Sequence, residues 1–259
     1  MKEFFKNLIA NMADTLYDES LTCDLCSKEV FFGEDFCKDC VNDFSYIGED
    51  FCEKCGRRTL TKCGMCNECS KDYAVDLARS VFEYSGSARR LIHKLKYRNA
   101  KYLARFAVDC MLRVLIENKL TFDIITYVPM SGKQEYLRGY NHTEVLAKKL
   151  GKKTGNQVIG LLYKDFETKN QVGLTLEERK KNLKGSFKLI DKKVVKNKKI
   201  LIVDDVLTTG ATSNEIATLL KKAKADKVYL IAIASVTKQK NKTENIENIE
   251  NVENIENIP

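Results

Sequence analysis

The sequence predicts an α/β protein, with a mainly parallel sheet flanked by helices and a small cysteine-rich module in front of it. Three observations carry this. Apolar runs of strand length alternate with amphipathic runs of helix length from about Tyr73 to Thr237, a pattern that buries a parallel sheet beneath helices. Nine of the ten cysteines lie between Cys23 and Cys69. The chain has 259 residues, 44% of them hydrophobic, enough for one substantial domain and a smaller one.

Residues 1–20 are expected to form an amphipathic helix, with Phe4, Phe5, Leu8, Ile9 and Met12 as its apolar positions. The segment turns acidic too early to hold a signal-peptide core. The longest apolar run, near "VYLIAIASV", is far short of a membrane span. A soluble, cytoplasmic protein without membrane insertion is therefore expected.

Residues 21–72 form the cysteine module. It reads "CDLC", "CKDC", "CEKC" and "CGMCNEC". Repeated CxxC pairs bring four sulfurs within reach of one tetrahedral ion, and a disulfide scaffold is disfavoured in a cytoplasmic chain. A zinc-ribbon-like module follows, with structural zinc. The preferred partition is Cys23, Cys26, Cys37 and Cys40 for one ion and Cys52, Cys55, Cys66 and Cys69 for a second. Interleaved pairing, or iron in place of zinc, also satisfies the spacing. Cys63 is then spare. Cys110 belongs to an apolar helical face and is expected in the core.

In residues 73–238, "YLARFAVDCMLRVLIEN" places Leu103, Phe106, Ala107, Cys110, Met111, Val114 and Leu115 on one helical face. "FDIITYVP" reads as a strand. "NHTEVLAKKLG" reads as a helix stopping at Gly151. "KILIVDD" is a short buried strand, and "SNEIATLLKKAKA" a helix beginning near Ser213 with Ile216, Leu219, Leu220 and Ala223 in register. "KVYLIAIASV" is a final buried strand. Residues 239–259 repeat "NIE" with a period of three, which suits neither helix nor strand, and are expected to be disordered.

Charge divides along the same boundaries. The whole chain is +8, but residues 73–238 carry 33 basic and 16 acidic side chains, net +17, whereas residues 21–72 are net −4. The basic segment is the candidate for an anionic ligand. The cysteine module is too acidic for a phosphate-binding role of its own, and suits structural or partner-docking work.

"VDDVLTTGAT" (203–212) concentrates the chemistry. Asp204 and Asp205 are expected at the carboxyl end of a buried strand, pointing to different sides and mostly solvent-facing. Thr208, Thr209, Gly210, Ala211 and Thr212 then lead into a helix whose free N–H groups attract phosphate. No Gly-Lys-Ser/Thr follows, so this is not a Walker loop. A sugar phosphate would use both features, with its hydroxyls on the carboxylates and its phosphate in the turn.

"ILIVDDVLTTGATSNE" resembles the phosphoribosyl pyrophosphate (PRPP) loop of type I phosphoribosyltransferases. With "YVPMSGKQEYLRGYNHTEVLAKKLG", "KNQVGLTLEERKKNLKGSF" and the cysteine-rich front, the chain from Cys23 to about Thr237 resembles the ComF competence-protein family. The resemblance implies a type I phosphoribosyltransferase fold, PRPP with magnesium as ligand, and a link to DNA uptake and other competence proteins. It implies transfer of a phosphoribosyl group to a nitrogen acceptor with release of pyrophosphate. Asp204 and Asp205 would meet the ribose hydroxyls, and Thr208 to Thr212 the 5′-phosphate. Pro129 to Arg138 would form the pyrophosphate loop, with Arg138 stabilising the departing group. Lys96 and Arg98 in "LIHKLKYRN" would be anion contacts, and Gln171 and Arg179 would sit on a segment over the site. The family pattern has Phe and then Asn-Gln after Arg-Gly, where this chain has Tyr140 and His142. Neither His142 nor His93 is assigned a role. The rival reading is a non-catalytic component that binds single-stranded DNA or a partner and keeps the PRPP fold. Tyr97, Tyr102 and Tyr136 are candidate base-stacking side chains for it, although packing in the interior is expected for most of them.

Overall fold

The computed structural model describes residues 21–164 and 185–236, apart from residues 32, 60–62, 67, 68 and 70–72. The expected helix in residues 1–20, the repeat tail 239–259, and Gln171 and Arg179 lie outside the described residues.

Five parallel strands form the central sheet: β1 (Leu77–Glu83), β2 (Ile124–Tyr127), β3 (Gln157–Val158), β6 (Lys199–Leu207) and β7 (Lys227–Ser235), in the order β1-β7-β6-β2-β3. A separate antiparallel hairpin pairs β4 (Leu162–Lys164) with β5 (Phe187–Leu189). The helices are α1 (Lys38–Asn42), α2 (Gly86–Tyr97), α3 (Ala104–Glu117), α4 (Gly132–Arg138), α5 (His142–Thr154), α6 (Lys192–Val195) and α7 (Ala211–Lys222). None among the described residues is long and apolar enough to cross a membrane.

Both faces of the sheet are covered, which explains why β6 and β7 read as continuous apolar runs rather than alternating ones. Leu201, Val203, Ile231 and Ile233 pack with α2, α3 and α5. Ile200, Ile202, Leu230 and Ala232 pack with α7 and the hairpin. The alternation along β6 sets its next two residues on opposite faces, Asp204 with the α7 side and Asp205 with the α2 and α5 side.

Three expected boundaries move. The strand "KILIVDD" continues to Leu207, because Asp204 and Val206 keep pairing with Ala232 and Ala234 of β7. The helix expected near Ser213 starts at Ala211, with Gly210 at its N-cap in the left-handed region (φ 78°). The helix expected to stop at Gly151 runs on to Thr154 and ends at Gly155 (φ 74°). Gly151 serves close packing instead: a Cβ there would stand 2.4 Å from a Val158 methyl carbon. Cys110 is buried in the core as expected, and burial pushes its thiol up to about 11.

The front module is built onto this domain. Cys23, Leu25, Phe36, Cys40 and Phe44 share one apolar cluster with Phe82, Leu91 and Ile92. Phe36, Phe44, Phe82 and Phe106 form one contiguous group with centroids 4.7–6.4 Å apart, the Phe36 contacts edge-on, the Phe44–Phe82 and Phe44–Phe106 pairs tilted and Phe82–Phe106 stacked. Polar contacts fix the seam: Ser87 Oγ donates to the Cys40 carbonyl (2.7 Å), Arg90 to Asp43 (2.7 Å) and Lys94 Nζ to the Asp24 carbonyl (2.7 Å).

Candidate functional site

The cysteines form two four-sulfur groups, Cys23/Cys26/Cys37/Cys40 and Cys52/Cys55/Cys66/Cys69, each with its ligand atoms within 4.8 Å of one another. Interleaved pairing is thereby removed, and Cys63 stands outside both groups. Individual Sγ–Sγ separations are 3.6 Å (Cys26–Cys37), 3.8 Å (Cys55–Cys66), 3.5 Å (Cys66–Cys69) and 4.0 Å (Cys52–Cys69). A tetrahedral ion held by four thiolates, with metal–sulfur bonds of about 2.3 Å, requires sulfur–sulfur edges of roughly 3.8 Å, so both donor sets fit zinc. Backbone N–H groups of Cys55 and Cys66 point at Cys52 Sγ (3.5 and 3.3 Å), and Arg90 Nη2 approaches Cys40 Sγ at 3.6 Å. Such donors support the charge of metal-bound thiolates.

The second site lies at the carboxyl end of the sheet, between β2 and β6. From β2 the chain proceeds outward to β3, and from β6 in the opposite direction to β7. The connections leaving the two strands part in opposite directions, which makes this the topological switch point at whose crevice open α/β sheets take ligands.

Asp204 and Asp205 line this crevice from β6, but they are not solvent-facing as expected: they are only 9% and 8% exposed. The cause is the extra strand length, which keeps them inside the sheet. Lys96, near the end of α2, brings Nζ to 2.5 Å from Asp205 Oδ2, and His142, at the start of α5, brings Nε2 to 3.5 Å from the same oxygen. Burial opposes ionisation of Asp205, yet Lys96 and His142 overcome it and hold its carboxyl well below the usual range. Burial and the adjacent Asp205 charge push Asp204 well above that range. Two neighbouring acids thus sit in opposite electrostatic settings. His142 is buried, which holds its ring below the ordinary imidazole value against the pull of Asp205.

Beyond β6, Thr208 is exposed, Thr209 and Thr212 are half-buried, and Gly210 turns the chain into α7. Thr209 Oγ1 accepts from the Ala211 N–H (3.2 Å), and Ser213 Oγ donates to the Gly210 carbonyl (3.0 Å). Two of the turn's own side chains thus help to shape it, with the first N–H groups of α7 directed back toward it.

On the β2 side, the segment expected as a loop from Pro129 to Arg138 is mostly helix α4, because Ser131 caps it by accepting from the Gln134 N–H (3.4 Å). Arg138 ends α4 with its guanidinium 4.7 Å from the Tyr97 ring centroid. Tyr140 donates to the Leu95 carbonyl, and Asn141 to the Val128 carbonyl (3.1 Å), tying the α4–α5 link to α2 and β2. Arg98 is exposed beyond the end of α2, so Lys96 and not Arg98 meets the carboxylate. Tyr97, Tyr102 and Tyr136 are 38%, 56% and 86% exposed, against the expectation of interior packing.

Sequence reasoning noticed His142 as a departure from the family pattern but gave it no role, and the structure sets it beside Asp205. The same reasoning left out Tyr73, Ser213 and Asn214, whose partners lie 140 residues apart: Tyr73 Oη is 3.3 Å from Ser213 Oγ, and the Ala74 N–H donates to Asn214 Oδ1 at 2.6 Å. No local signal marks such pairs.

A five-stranded parallel sheet whose central strand carries paired acids into a Thr/Gly turn is the architecture of the type I phosphoribosyltransferase fold. A family profile described as a phosphoribosyl transferase domain matches residues 143–258, and one described as a double zinc ribbon domain matches residues 12–70. Among curated relatives, Competence protein F of Haemophilus influenzae is 27% identical over 65% of this chain and 77% of its own length. DNA utilization protein YhgH of Salmonella typhimurium is 33% identical over 54% and 64%, and Competence protein ComFC of Streptococcus pneumoniae 28% over 76% and 86%. The chain thus resembles the ComF competence proteins in both of its parts, a double zinc ribbon followed by a phosphoribosyl transferase domain. Among solved structures, the glutamine PRPP amidotransferase from B. subtilis aligns at 20% identity with TM-score 0.35, over 54% of this chain and 26% of that one. Adenine phosphoribosyltransferase from Thermoanaerobacter pseudethanolicus aligns at 14% with TM-score 0.34, over 53% and 82%.

Proposed function

We propose that the chain binds PRPP with magnesium in the β2–β6 crevice and serves DNA uptake or use, as the names of its relatives suggest. The observation that carries the reading is the join of the buried Asp204–Asp205 pair to the Gly210 turn and the N-terminus of α7. Carboxylate oxygens at a strand end accept from ribose hydroxyls, while N–H groups of the turn and hydroxyls of Thr208, Thr209 and Thr212 receive the 5′-phosphate. Asp204, Asp205 and the incoming pyrophosphate supply the hard oxygen donors magnesium prefers, and the ion when bound would offset leaving-group charge.

In a transfer reaction, a nitrogen nucleophile displaces pyrophosphate from the anomeric carbon through an oxocarbenium-like transition state. The Asp205 carboxylate offsets the developing positive charge, and Arg138 meets the departing pyrophosphate. Lys96 holds Asp205 ionised and reaches the same crevice as an anion contact. Titration calorimetry of the full chain with PRPP and Mg²⁺ is expected to show one site; absence of heat and of competition by ribose 5-phosphate would reject the reading. Pyrophosphate release against a panel of bases and amines then tests for turnover.

The exposure of Tyr97, Tyr102 and Tyr136 on the basic domain favours a second activity, weak binding of single-stranded DNA by charge and stacking. In a non-catalytic form of the protein this would be the main activity, with the PRPP site retained as a sensor.

A further inference from the structure

The ribbon holding Cys52, Cys55, Cys66 and Cys69 reaches the phosphate turn itself. Arg57 follows Cys55 by two residues and is 6% exposed. Its Nη2 lies 3.1 Å from the position a Cβ on Gly210 would take, and Tyr73 Cε2 lies at the same distance. Tyr73 packs on Cys52, Cys55 and Cys69 on one side and on α7 through Ser213 on the other. Ala74 completes the seam through Asn214. The Ala78 N–H donates to the Lys54 carbonyl at 2.8 Å, tying the ribbon to β1 as well. Gly210 adopts a left-handed conformation (φ 78°) against these two side chains. The metal turn and the phosphate turn are thus two walls of one contact.

We infer that the second zinc ribbon is a working part of the ligand site: zinc at Cys52/Cys55/Cys66/Cys69 and an anionic ligand at the Thr208–Thr212 turn bind with positive coupling, carried by the positioning residues Arg57 and Tyr73. The inference rests on the PRPP reading of that turn. Its physical basis is that an ion which fixes Cys52, Cys55, Cys66 and Cys69 fixes Arg57 next to them and Tyr73 packed on them, and these hold Gly210 and the first turn of α7 in the shape that presents N–H groups to a phosphate. Binding at either end then avoids the ordering cost the other has already met. Linkage makes the effect reciprocal, so a bound phosphate must raise the affinity for that zinc.

Reciprocity supplies a readout independent of activity. Zinc transfer from the full chain to a chromogenic chelator is followed with and without saturating PRPP and Mg²⁺, and with ribose 5-phosphate as a weakly chelating probe of the same turn. At equilibrium, the chelator concentration needed to remove one of the two zinc ions is expected to rise at least about fivefold in the presence of ligand, the lower end of ordinary coupling. Arg57→Met is expected to abolish the protection. If that variant retains only one zinc, Tyr73→Phe, which keeps the ring and loses the Ser213 contact, is expected to reduce it. Unchanged release at a saturation established by calorimetry overturns the coupling and leaves the PRPP reading standing. Equal protection of both zinc ions, or full protection in both variants, overturns the route through Arg57 and Tyr73. Failure of the wild type to bind PRPP or ribose 5-phosphate in calorimetry removes the underlying reading, and the coupling with it.

Discussion

Asp205→Asn is expected to destabilise the chain, whereas Asp204→Asn is expected to be neutral or stabilising, although the two residues are adjacent. The Lys96–Asp205 contact is 2.5 Å, with side-chain exposures of 25% and 11%. At an effective dielectric of about 20 its Coulomb energy is roughly 7 kcal/mol, against a desolvation cost of several kcal/mol per ion. The pair itself therefore contributes little net stability. Removing one partner differs, because it strands a buried charge at a cost of roughly 3–5 kcal/mol. Taking about 3 kcal/mol, Tm falls by roughly 6–12 °C for a chain of this size. Lys96→Met should cost a similar amount, and the double variant less than the sum, by about 2 kcal/mol within the usual range for contacting residues.

Asp204 has the opposite sign. Its folded carboxyl lies above the unfolded value, so ionisation at neutral pH works against folding, and stability falls as pH rises from about 4 through the folded value. Asn removes that cost and still accepts the Asp205 N–H, which now lies 2.8 Å from Asp204 Oδ1. The Asp205 stabilisation is present above about pH 4 and is lost as pH falls through its depressed folded value. Thermal unfolding of the four variants at pH 7 with zinc present decides the matter. Equal effects of Asp204→Asn and Asp205→Asn, or additivity of Asp205→Asn with Lys96→Met, would refute the electrostatic argument.

Elemental analysis of protein purified without added metal is expected to give two zinc ions per chain, and Cys40→Ser to lower the count or unfold the front module, since such sites contribute folding energy directly. Gly210→Ala should cost about 1–2 kcal/mol from its left-handed backbone alone, more if Arg57 and Tyr73 cannot yield, and should weaken PRPP binding in calorimetry; an unchanged Kd would show that the turn is not the phosphate site. Single-stranded DNA should bind the full chain without sequence preference, with anisotropy-measured affinity falling steeply between about 50 and 200 mM salt. Affinity independent of salt would exclude the electrostatic mechanism.

By itself the sequence determined the elements whose signals are local. Continuous apolar runs in β6 and β7 marked a sheet buried on both faces, CxxC spacing marked four-thiol centres and a preferred partition among them, and Asp204 to Thr212 marked a strand-to-helix turn that carries paired acids. These signals lie within a few residues because strand, helix and chelate geometry are short-range. Tertiary structure decided what those residues meet. It extended β6 past the acid pair and so buried side chains the sequence placed in solvent. It brought Lys96 and His142 from two different helices to one carboxylate oxygen, and gave adjacent aspartates opposite preferences for their protons. It set Arg57 and Tyr73 against Gly210, residues far apart along the chain. Distance and burial fix such contacts, and neither is encoded in any single stretch of sequence, because each depends on how the sheet stacks its helices and on where the ribbons come to rest.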